Sequence, residues 1–190
     1  MTDYREKISS YITMEKEVLD SLDSGEISQV MNILEEARLS GKRIFICGNG
    51  GSASTSAHLE CDFNKGISYD QEIKYDIECL SDNVPMMMAI ANDISYDDIF
   101  VVPLRNKLKR GDIVIGISGS GNSRNVVKAL EYANELGADT IALTGYSGGR
   151  LKEIAKYGIH VAVDNMQIVE DVHLVLNHMM MYILSGMQGC

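Results

Sequence analysis

The sequence predicts an α/β fold, a three-layer sandwich in which helices cover both faces of a mainly parallel five-stranded sheet. Five short apolar runs, rich in β-branched residues, lie at 43–47, 74–80, 113–117, 140–144 and 158–163. Segments of helical periodicity alternate with these runs, and no residue pattern between them is typical of a tight hairpin. Strands that alternate with helices are joined by right-handed crossovers, so we expect neighbouring strands to be parallel.

Two helices are predicted ahead of the sheet. Apolar residues recur at three- and four-residue steps from Tyr4 to Leu22, Ser24 and Gly25 interrupt the pattern, and it resumes at Ile27. The length of 190 residues suits one domain with an extension. We therefore expect a single domain over 1–190, with a helical extension at 1–40 and an α/β core at 41–190.

Charge and composition argue against several classes of partner. The chain has 17 Lys and Arg against 27 Asp and Glu, a net charge of −10, which disfavours binding to nucleic acid or to an anionic membrane surface. Its four cysteines form no CxxC pair, and no secretory signal pattern opens the chain, so a cytoplasmic location is predicted. The uncharged stretch 172–190 contains polar side chains and is predicted to be a buried helix. We expect a small-molecule partner.

Two turns of similar chemistry follow predicted strands and precede predicted helices. The first is rich in glycine and ends in serine, and the second alternates serine with glycine; they span 48–54 and 118–123. Turns of this kind meet at the carboxyl edge of an open parallel sheet, where ligands bind. Glycine lets the backbone approach an anion, and helix N-termini and hydroxyls donate hydrogen bonds to it. The pair predicts a phosphate site, although either turn alone is equally well explained as a tight turn.

Two other phosphate-binding patterns fit the first turn less well. Gly48, Gly50 and Ala53 match the spacing of the dinucleotide fingerprint, but no acidic residue is clearly placed about 20 positions further on. No Gly-Lys-Ser/Thr sequence follows the turn, so the Walker arrangement is absent. A compact phosphate ester is the better prediction, and a dinucleotide-dependent oxidoreductase is the weaker alternative.

Histidines and carboxylates recur at helical spacing in two places. His58 and Asp62 are four residues apart, and Glu170 and His178 lie on a later helix with His173 and Asn177 on adjoining stripes. Such groups suit general acid and base catalysis and also bind divalent cations. The alternative is that His58 and Asp62 form a structural hydrogen-bonded pair and that His173 lies at an interface.

These motifs together resemble the SIS (sugar isomerase) domain family, and within it the phosphoheptose isomerases. The resemblance is carried by residues 47–52, 58–62, 92–93, 118–123, 143–145 and 170–178, and it extends over nearly the whole chain. It implies a flavodoxin-like sandwich, a homotetramer whose active sites are lined by more than one subunit, and a zinc ion without any organic cofactor. The implied reaction interconverts sedoheptulose 7-phosphate and D-glycero-D-manno-heptose 7-phosphate through an enediol or enediolate, supplying heptose for lipopolysaccharide or capsule.

The resemblance also implies roles for individual residues. His58, Asp62, Glu170 and His178 fall on metal-ligand positions, with Asp62 as base and His178 as acid, or Glu170 as base instead. For the phosphate the resemblance implies contacts from Ser52, Ser118, Ser120 and Ser123, with backbone from Gly119. Asn92, Asp93 and Gln167 are implied near the sugar, and Asn49, Gly50 and Gly51 are further implied substrate-binding residues.

Four positions depart from the pattern of the family. Asp62 stands in place of the usual glutamate, Glu170 in place of glutamine, Gly119 in place of threonine, and Gln167 in place of aspartate. The shorter Asp62 changes the reach of the carboxylate by one methylene, and Glu170 adds a negative charge that favours a divalent cation. The departures leave two alternatives open: an isomerase of another sugar phosphate, or a non-catalytic regulatory protein that binds a phosphosugar.

Overall fold

The computed structural model describes residues 2–186, and the elements alternate after two leading helices. The strands are β1 (Ile44–Gly48), β2 (Ile77–Cys79), β3 (Ile113–Ser118), β4 (Asp139–Gly145) and β5 (Tyr157–Val161). The helices are α1 (Arg5–Asp20), α2 (Ser24–Leu39), α3 (Gly51–Cys61), α4 (Val84–Asp93), α5 (Val101–Lys107), α6 (Arg124–Leu136), α7 (Gly149–Ile154) and α8 (Met166–Leu184). A π-helical turn, Asp62–Ile67, continues α3, and a 3-10 turn, Tyr96–Asp98, precedes α5.

The sheet confirms the predicted fold class. Its strand order is β2-β1-β3-β4-β5, and all of its strand pairs in the described chain are parallel. The register pairs Ile44 with Ile113 and Gly48 with Ile117, so β1 and β3 end almost level. Buried residues fill β1 and β3 throughout, as expected for central parallel strands that are covered on both faces.

Helices cover the two faces of the sheet. Leu34 of α2, Leu59 of α3 and Leu176 of α8 belong to the core on one face. Leu104 of α5 and Leu130 of α6 belong to the core on the other. Because α3 and α8 lie on the same face, the two predicted pairs of histidine and carboxylate are carried by neighbouring helices.

The second predicted strand is shorter than expected. The apolar run predicted a strand over 74–80, but β2 contains only Ile77–Cys79. The residues before it are held by local hydrogen bonds: Tyr75 N donates to Ser68 Oγ at 2.9 Å, and Lys74 Nζ donates to the Ser68 carbonyl at 2.6 Å. These bonds hold residues 74 and 75 outside the sheet, so the edge strand β2 begins only at Ile77.

The N-terminal helices differ in how they pack. The Asp23 carboxylate caps α2 by accepting hydrogen bonds from Gly25 N and Glu26 N, so the predicted break is the start of the second helix. Helix α1 buries only Val18 and leaves Ile8 and Ile12 exposed. The Tyr11 hydroxyl of α1 donates a hydrogen bond to Asp171 on α8. Through this bond α1 contacts the helix that carries Glu170 and His178.

The last described helix begins before the uncharged stretch 172–190, in agreement with the prediction that Glu170 and His178 share one helix. It starts at Met166, where the Asn165 side chain accepts hydrogen bonds from Gln167 N and Ile168 N. The end of the predicted 172–190 helix, including Cys190, lies outside the described residues. None of the described helices combines the length and apolar character needed to cross a bilayer.

The order of the strands brings the two predicted turns together. From β1 the chain moves to one side to form β2, and from β3 it moves to the other side to form β4 and β5. The crevice at the carboxyl ends of two such strands is the usual ligand site of an open α/β sheet. Here that crevice lies between the turn after Gly48 and the turn after Ser118.

We expect Gly121 in the second turn to resist substitution more strongly than Gly41. Both have a positive φ, +66° and +64°, but a Cβ at Gly121 would overlap the carbonyl oxygen of Gly148, whereas one at Gly41 meets nothing within 4 Å. Gly41→Ala should cost about 1–2 kcal/mol for its left-handed backbone. Gly121→Ala should cost a further 1–3 kcal/mol or so for the steric overlap. Urea unfolding of both variants measures the difference, and equal losses would contradict this account.

Candidate active site

Three serine hydroxyls converge in the turn between β3 and α6. Ser118 Oγ lies 3.0 Å from Ser123 Oγ and 3.5 Å from Ser120 Oγ. Ser123 occupies the N-cap position of α6, but its hydroxyl makes no capping bond to the helix. Hydroxyls without charge, next to an uncapped helix N-terminus, form a site suited to an anion such as a phosphate group.

The space beside Gly119 explains one departure from the family pattern. A Cβ at this position would lie 2.7 Å from Met166 Sδ, so the thioether occupies the volume that a threonine side chain needs. The Gly119 carbonyl also accepts a hydrogen bond from Gly145 N at 2.8 Å, which ties the turn to the end of β4. Glycine at 119 and methionine at 166 therefore fit each other.

The first turn is fixed by a hydrogen-bonded network of side chains. Asn49 and Asn125 exchange two amide hydrogen bonds, of 2.9 and 2.8 Å, and the Tyr96 hydroxyl donates to Asn49 Oδ1 at 2.9 Å. The amide of Asn49 thus links this turn to α6. Gly50 lies at the N-cap of α3 with φ +54°, and the Ser52 side chain follows it, buried. While this network is intact, Asn49 Oδ1 already accepts two hydrogen bonds, so a contact from Asn49 to a ligand has to come from the second N–H of Nδ2 or from the backbone.

His58, Asp62 and His178 form a cluster at the ends of α3 and α8. Asp62 Oδ2 lies 3.4 Å from His58 Nε2 and 4.0 Å from His178 Nε2, and the two Nε2 atoms are 3.3 Å apart. One ligand atom from each residue falls within 4.8 Å of the others. Two imidazole nitrogens and a carboxylate oxygen at these separations are a suitable donor set for a divalent cation.

Burial and local backbone geometry distinguish the members of this cluster. The Asp62 side chain is 12% exposed, whereas those of His58 and His178 are 44% and 53% exposed. Asp62 begins the π-helical turn, a rare conformation that is frequent at functional sites. The carboxylate therefore lies at the base of the cluster, and the two imidazoles face outwards.

Glu170 lies apart from this cluster. A Cβ on Gly51 would lie 2.6 Å from the Glu170 Cδ atom, so the Glu170 carboxylate rests against the first residue of α3. The structure thus brings together three of the four predicted metal ligands and places the fourth at the N-terminus of α3. That position is favourable for a negative charge because of the helix dipole.

The residues predicted to contact the sugar are all exposed. Asn92 and Asp93 end α4, and the Asn92 amide donates to Asp93 Oδ1 at 2.8 Å. Gln167 lies in the first turn of α8, where its backbone N–H donates to Asn165 Oδ1. Their described hydrogen bonds are local, and none of these bonds joins them to the cluster.

Three residues that hold the site in place had no role assigned from the sequence, although Asn177 was noted beside Glu170 and His178. Tyr96 and Asn125 fix Asn49, and the Asn177 amide donates to Asp62 Oδ2 at 2.8 Å. Asn125 is the second residue of the helix that follows the serine turn, so its sequence position could have indicated that it lies near the site. Tyr96 carries no such signal because its partner is 47 residues away.

His173 is buried in the wall behind the cluster. Its Nε2 faces the Thr144 carbonyl at 3.4 Å, and its Nδ1 has no partner among the described residues. Burial lowers the pKa of His173 to about 4. The imidazole is therefore neutral near pH 7, with its proton on Nε2.

Comparison with known proteins agrees with this architecture. A family model described as SIS domain matches residues 4–145. The chain belongs to the SIS domain family and, within it, to the phosphoheptose isomerase group. A phosphoheptose isomerase from Akkermansia muciniphila is 35% identical over 156 residues, 82% of each chain. One from Geotalea daltonii is 34% identical over 183 residues, 95% of each chain.

A solved structure extends the similarity to α8. The phosphoheptose isomerase of Neisseria gonorrhoeae superposes with a TM-score of 0.86 at 25% identity, covering 96% of this chain and 98% of that one. The family model ends at residue 145, before Glu170 and His178. The similarity of α8, which supplies half of the site, is therefore supported by the full-length alignments and not by the family model.

We expect cation binding to depend on His178 much more than on Glu170. Titration with Zn²⁺ or Co²⁺ should show at least about a tenfold loss of affinity for His178→Gln, because even outer-shell changes cost 10–100-fold. Glu170→Gln should bind nearly as tightly as the unmodified chain, since its carboxylate lies outside the cluster. Equal losses in the two variants would show that Glu170 is a ligand.

Acid should destabilise the fold through His173. The unfolded imidazole has a pKa near 6.5 and the folded one a pKa of about 4, so between these values the unfolded chain binds an additional proton. The free energy of unfolding should fall by about 2 kcal/mol from pH 7 to pH 5 on this account.

His173→Gln, which keeps a donor for the Thr144 carbonyl, should remove this loss. Urea unfolding at the two pH values measures it. His160→Gln is the matched control, because His160 is only half-buried and should leave most of the pH dependence in place. A His173→Gln profile as steep as that of the unmodified chain would contradict the prediction.

Proposed function

We propose that this protein is a phosphoheptose isomerase that interconverts sedoheptulose 7-phosphate and D-glycero-D-manno-heptose 7-phosphate. The observation that carries the proposal is the convergence of His58, Asp62 and His178 within 4.8 Å. This cluster lies on α3 and α8, and α3 opens from the turn that shares the ligand crevice with the serine turn. Relatives that are about 35% identical bear the same name, which supports the assignment.

The cluster would hold a zinc ion. Neutral histidine nitrogens and a carboxylate oxygen are common zinc ligands, and the separations among these three atoms suit a single ion. Bound there, zinc would act as a Lewis acid towards the carbonyl and hydroxyl oxygens of the sugar. The exposed faces of His58 and His178 leave room for those oxygens.

Asp62 and His178 would carry the proton transfers. From the ketose, the Asp62 carboxylate removes a proton from C1, and the electron pair forms the C1–C2 double bond of an enediol or enediolate. The proton returns from Asp62 to C2. His178, whose Nε2 faces the cluster, supplies a proton from its other ring nitrogen to the oxygen on C2 and takes up the proton that the C1 hydroxyl releases as it becomes the aldehyde. The reverse sequence converts the aldose to the ketose, so atoms and charges balance in both directions.

The serine turn would bind the phosphate group of the substrate. Ser118, Ser120 and Ser123 provide three hydroxyls, and Gly119 and the N-terminus of α6 add backbone donors. From the first turn, the buried Ser52 and the backbone at Asn49, Gly50 and Gly51 complete the site. A phosphate fixed at C7 would position the distant C1 and C2 beside Asp62, so the binding energy of the phosphate group helps to orient the reacting carbons.

Glu170 would act on the sugar rather than on the cation. Its carboxylate rests at the N-terminus of α3, against Gly51, which is the residue before Ser52. From there it can accept a hydrogen bond from a sugar hydroxyl or serve as the alternative base. Asn92, Asp93 and Gln167 would contact the remaining hydroxyls, and the exposure of all three supports contact with a ligand or a second subunit.

We propose that the active protein is a homotetramer in the cytoplasm that supplies heptose for surface polysaccharide. Large apolar side chains are exposed on three helices: Ile8 and Ile12 on α1, Met88 on α4, and Tyr182 and Ile183 on α8. Exposed apolar surface of this kind supports association between copies of the chain. The exposure of His58 and His178 supports a site that a second subunit closes.

Turnover of sedoheptulose 7-phosphate, followed by NMR with and without zinc, tests the function. Asp62→Asn and His178→Gln should each lower kcat by about 10²–10⁴-fold, because each removes one proton-transfer group. Asp82→Asn and His160→Gln are the matched controls and should retain activity. Absence of turnover with folded, zinc-loaded protein would redirect the assignment to another sugar phosphate or to a regulatory protein.

A further inference from the structure

Asn177 makes a contact with the cluster that the proposed reaction does not use. Its side chain is buried in α8, with 1% of the residue exposed, and Nδ2 donates to Asp62 Oδ2 at 2.8 Å. The two residues are 115 positions apart, so only the packing of α8 beside the π-helical turn brings them together. Among the described residues, Asn177 is the one side chain besides His58 and His178 that contacts the Asp62 carboxylate through a polar atom.

The amide of Asn177 has only one orientation that suits Asp62. Its amino group can donate to a carboxylate, whereas its oxygen would repel one, so Oδ1 has to face away from Asp62. In that direction Oδ1 is buried and has no partner among the described residues. An unsatisfied buried acceptor lowers the stability of the fold, and an apolar side chain of the same shape would avoid that particular cost.

The same face of α8 shows a second polar group with one unused atom. His173, one turn before Asn177, is also buried, and its Nε2 faces the Thr144 carbonyl while Nδ1 has no described partner. Buried polar atoms without partners are rare in native structures and call for an explanation. At Asn177 the other end of the amide gives the explanation, because Nδ2 donates a hydrogen bond to Asp62 of the cluster.

The hydrogen bond from Asn177 determines which oxygen of the Asp62 carboxylate is left for a further ligand. All the described polar contacts of the Asp62 carboxylate fall on Oδ2: the Asn177 amide at 2.8 Å and the imidazoles of His58 and His178. A charge-assisted hydrogen bond of this length fixes the rotation of a short side chain. Oδ1 is thereby kept free, and Oδ2 stays on the side of the imidazoles.

We propose that Asn177 is a positioning residue, which holds the Asp62 carboxylate in the orientation that the cation and the substrate require. The inference rests on the proposed function, because it assumes that Asp62 serves a zinc ion and a sugar. Asn177 itself touches neither. Its whole effect should therefore pass through Asp62, and this property makes the proposal testable.

A double-mutant cycle on zinc affinity tests this coupling without turnover. Affinity is measured by chelator competition for the unmodified chain, Asn177→Leu, Asp62→Asn and the double variant. Asn177→Leu should weaken zinc binding by about 10–100-fold, as is typical for an outer-shell partner of a ligand. In the Asp62→Asn background the same change should cause no further loss. Full additivity of the two losses, or unchanged affinity in Asn177→Leu, would overturn the proposal.

Two further measurements separate positioning from a purely structural role. Asn177→Leu removes the unpartnered Oδ1 together with the bond to Asp62, and these two effects on stability oppose each other, so urea unfolding should show only a small change. Steady-state kinetics should show a fall in kcat with little change in KM, because the phosphate contacts remain. Asn134→Leu is the control: Asn134 bonds Ile154 and Thr140 through both ends of its amide and should leave zinc affinity unchanged.

The unmodified chain reports separately on the proposed function. If it binds zinc but does not turn over sedoheptulose 7-phosphate, the assigned reaction is wrong and the zinc cycle still decides the role of Asn177. If it binds no zinc, the cluster is not a cation site and the inference is overturned. A large loss of stability in Asn177→Leu, with zinc affinity unchanged per folded molecule, would show that Asn177 is structural.

Discussion

The parallel pairing of β1 with β3 is the constraint on which the site depends. These strands are not consecutive in the chain, yet Ile44 pairs with Ile113 and Gly48 with Ile117. Because they end level, the turns that follow them face each other across one crevice, and α3 and α6 both begin there. The contact of the first turn with Asn125, and the start of α3, the helix that carries His58, at the same edge of the sheet as the serine turn, follow from this pairing.

The sequence predicted the features that depend on local pattern. Alternating apolar runs identified the five strands, and the spacing of four residues put His58 beside Asp62, where the structure has them 3.4 Å apart. Features that depend on packing between distant segments were not predictable. The approach of Asn177 to Asp62, the location of Glu170 against Gly51 and the late start of β2 each require the relative placement of helices and loops.

The distribution of charge reconciles an acidic protein with an anionic ligand. The chain has a net charge of −10, but the serine turn contains no acidic residue and donates through hydroxyls and a helix N-terminus. Asp62 lies instead in the π-helical turn that continues α3, and Glu170 lies on α8. Under the proposed function the serine turn therefore meets the phosphate with uncharged donors, and no carboxylate of that turn repels the phosphate at close range.

Two buried polar atoms on α8 lack described partners and lower the stability of the fold, but the residues that carry them contact the site and its surroundings. Helix α8 is largely apolar and packs in the core, but it buries His173 and Asn177 with one unpartnered atom each. Apolar residues at these positions would remove the cost of about 1–3 kcal/mol for each atom. The retained polar groups face Thr144 on β4 and Asp62 beyond α3, so α8 is held in register with both. A helix that slid by one turn would lose both contacts, and His178 would leave the cluster with it.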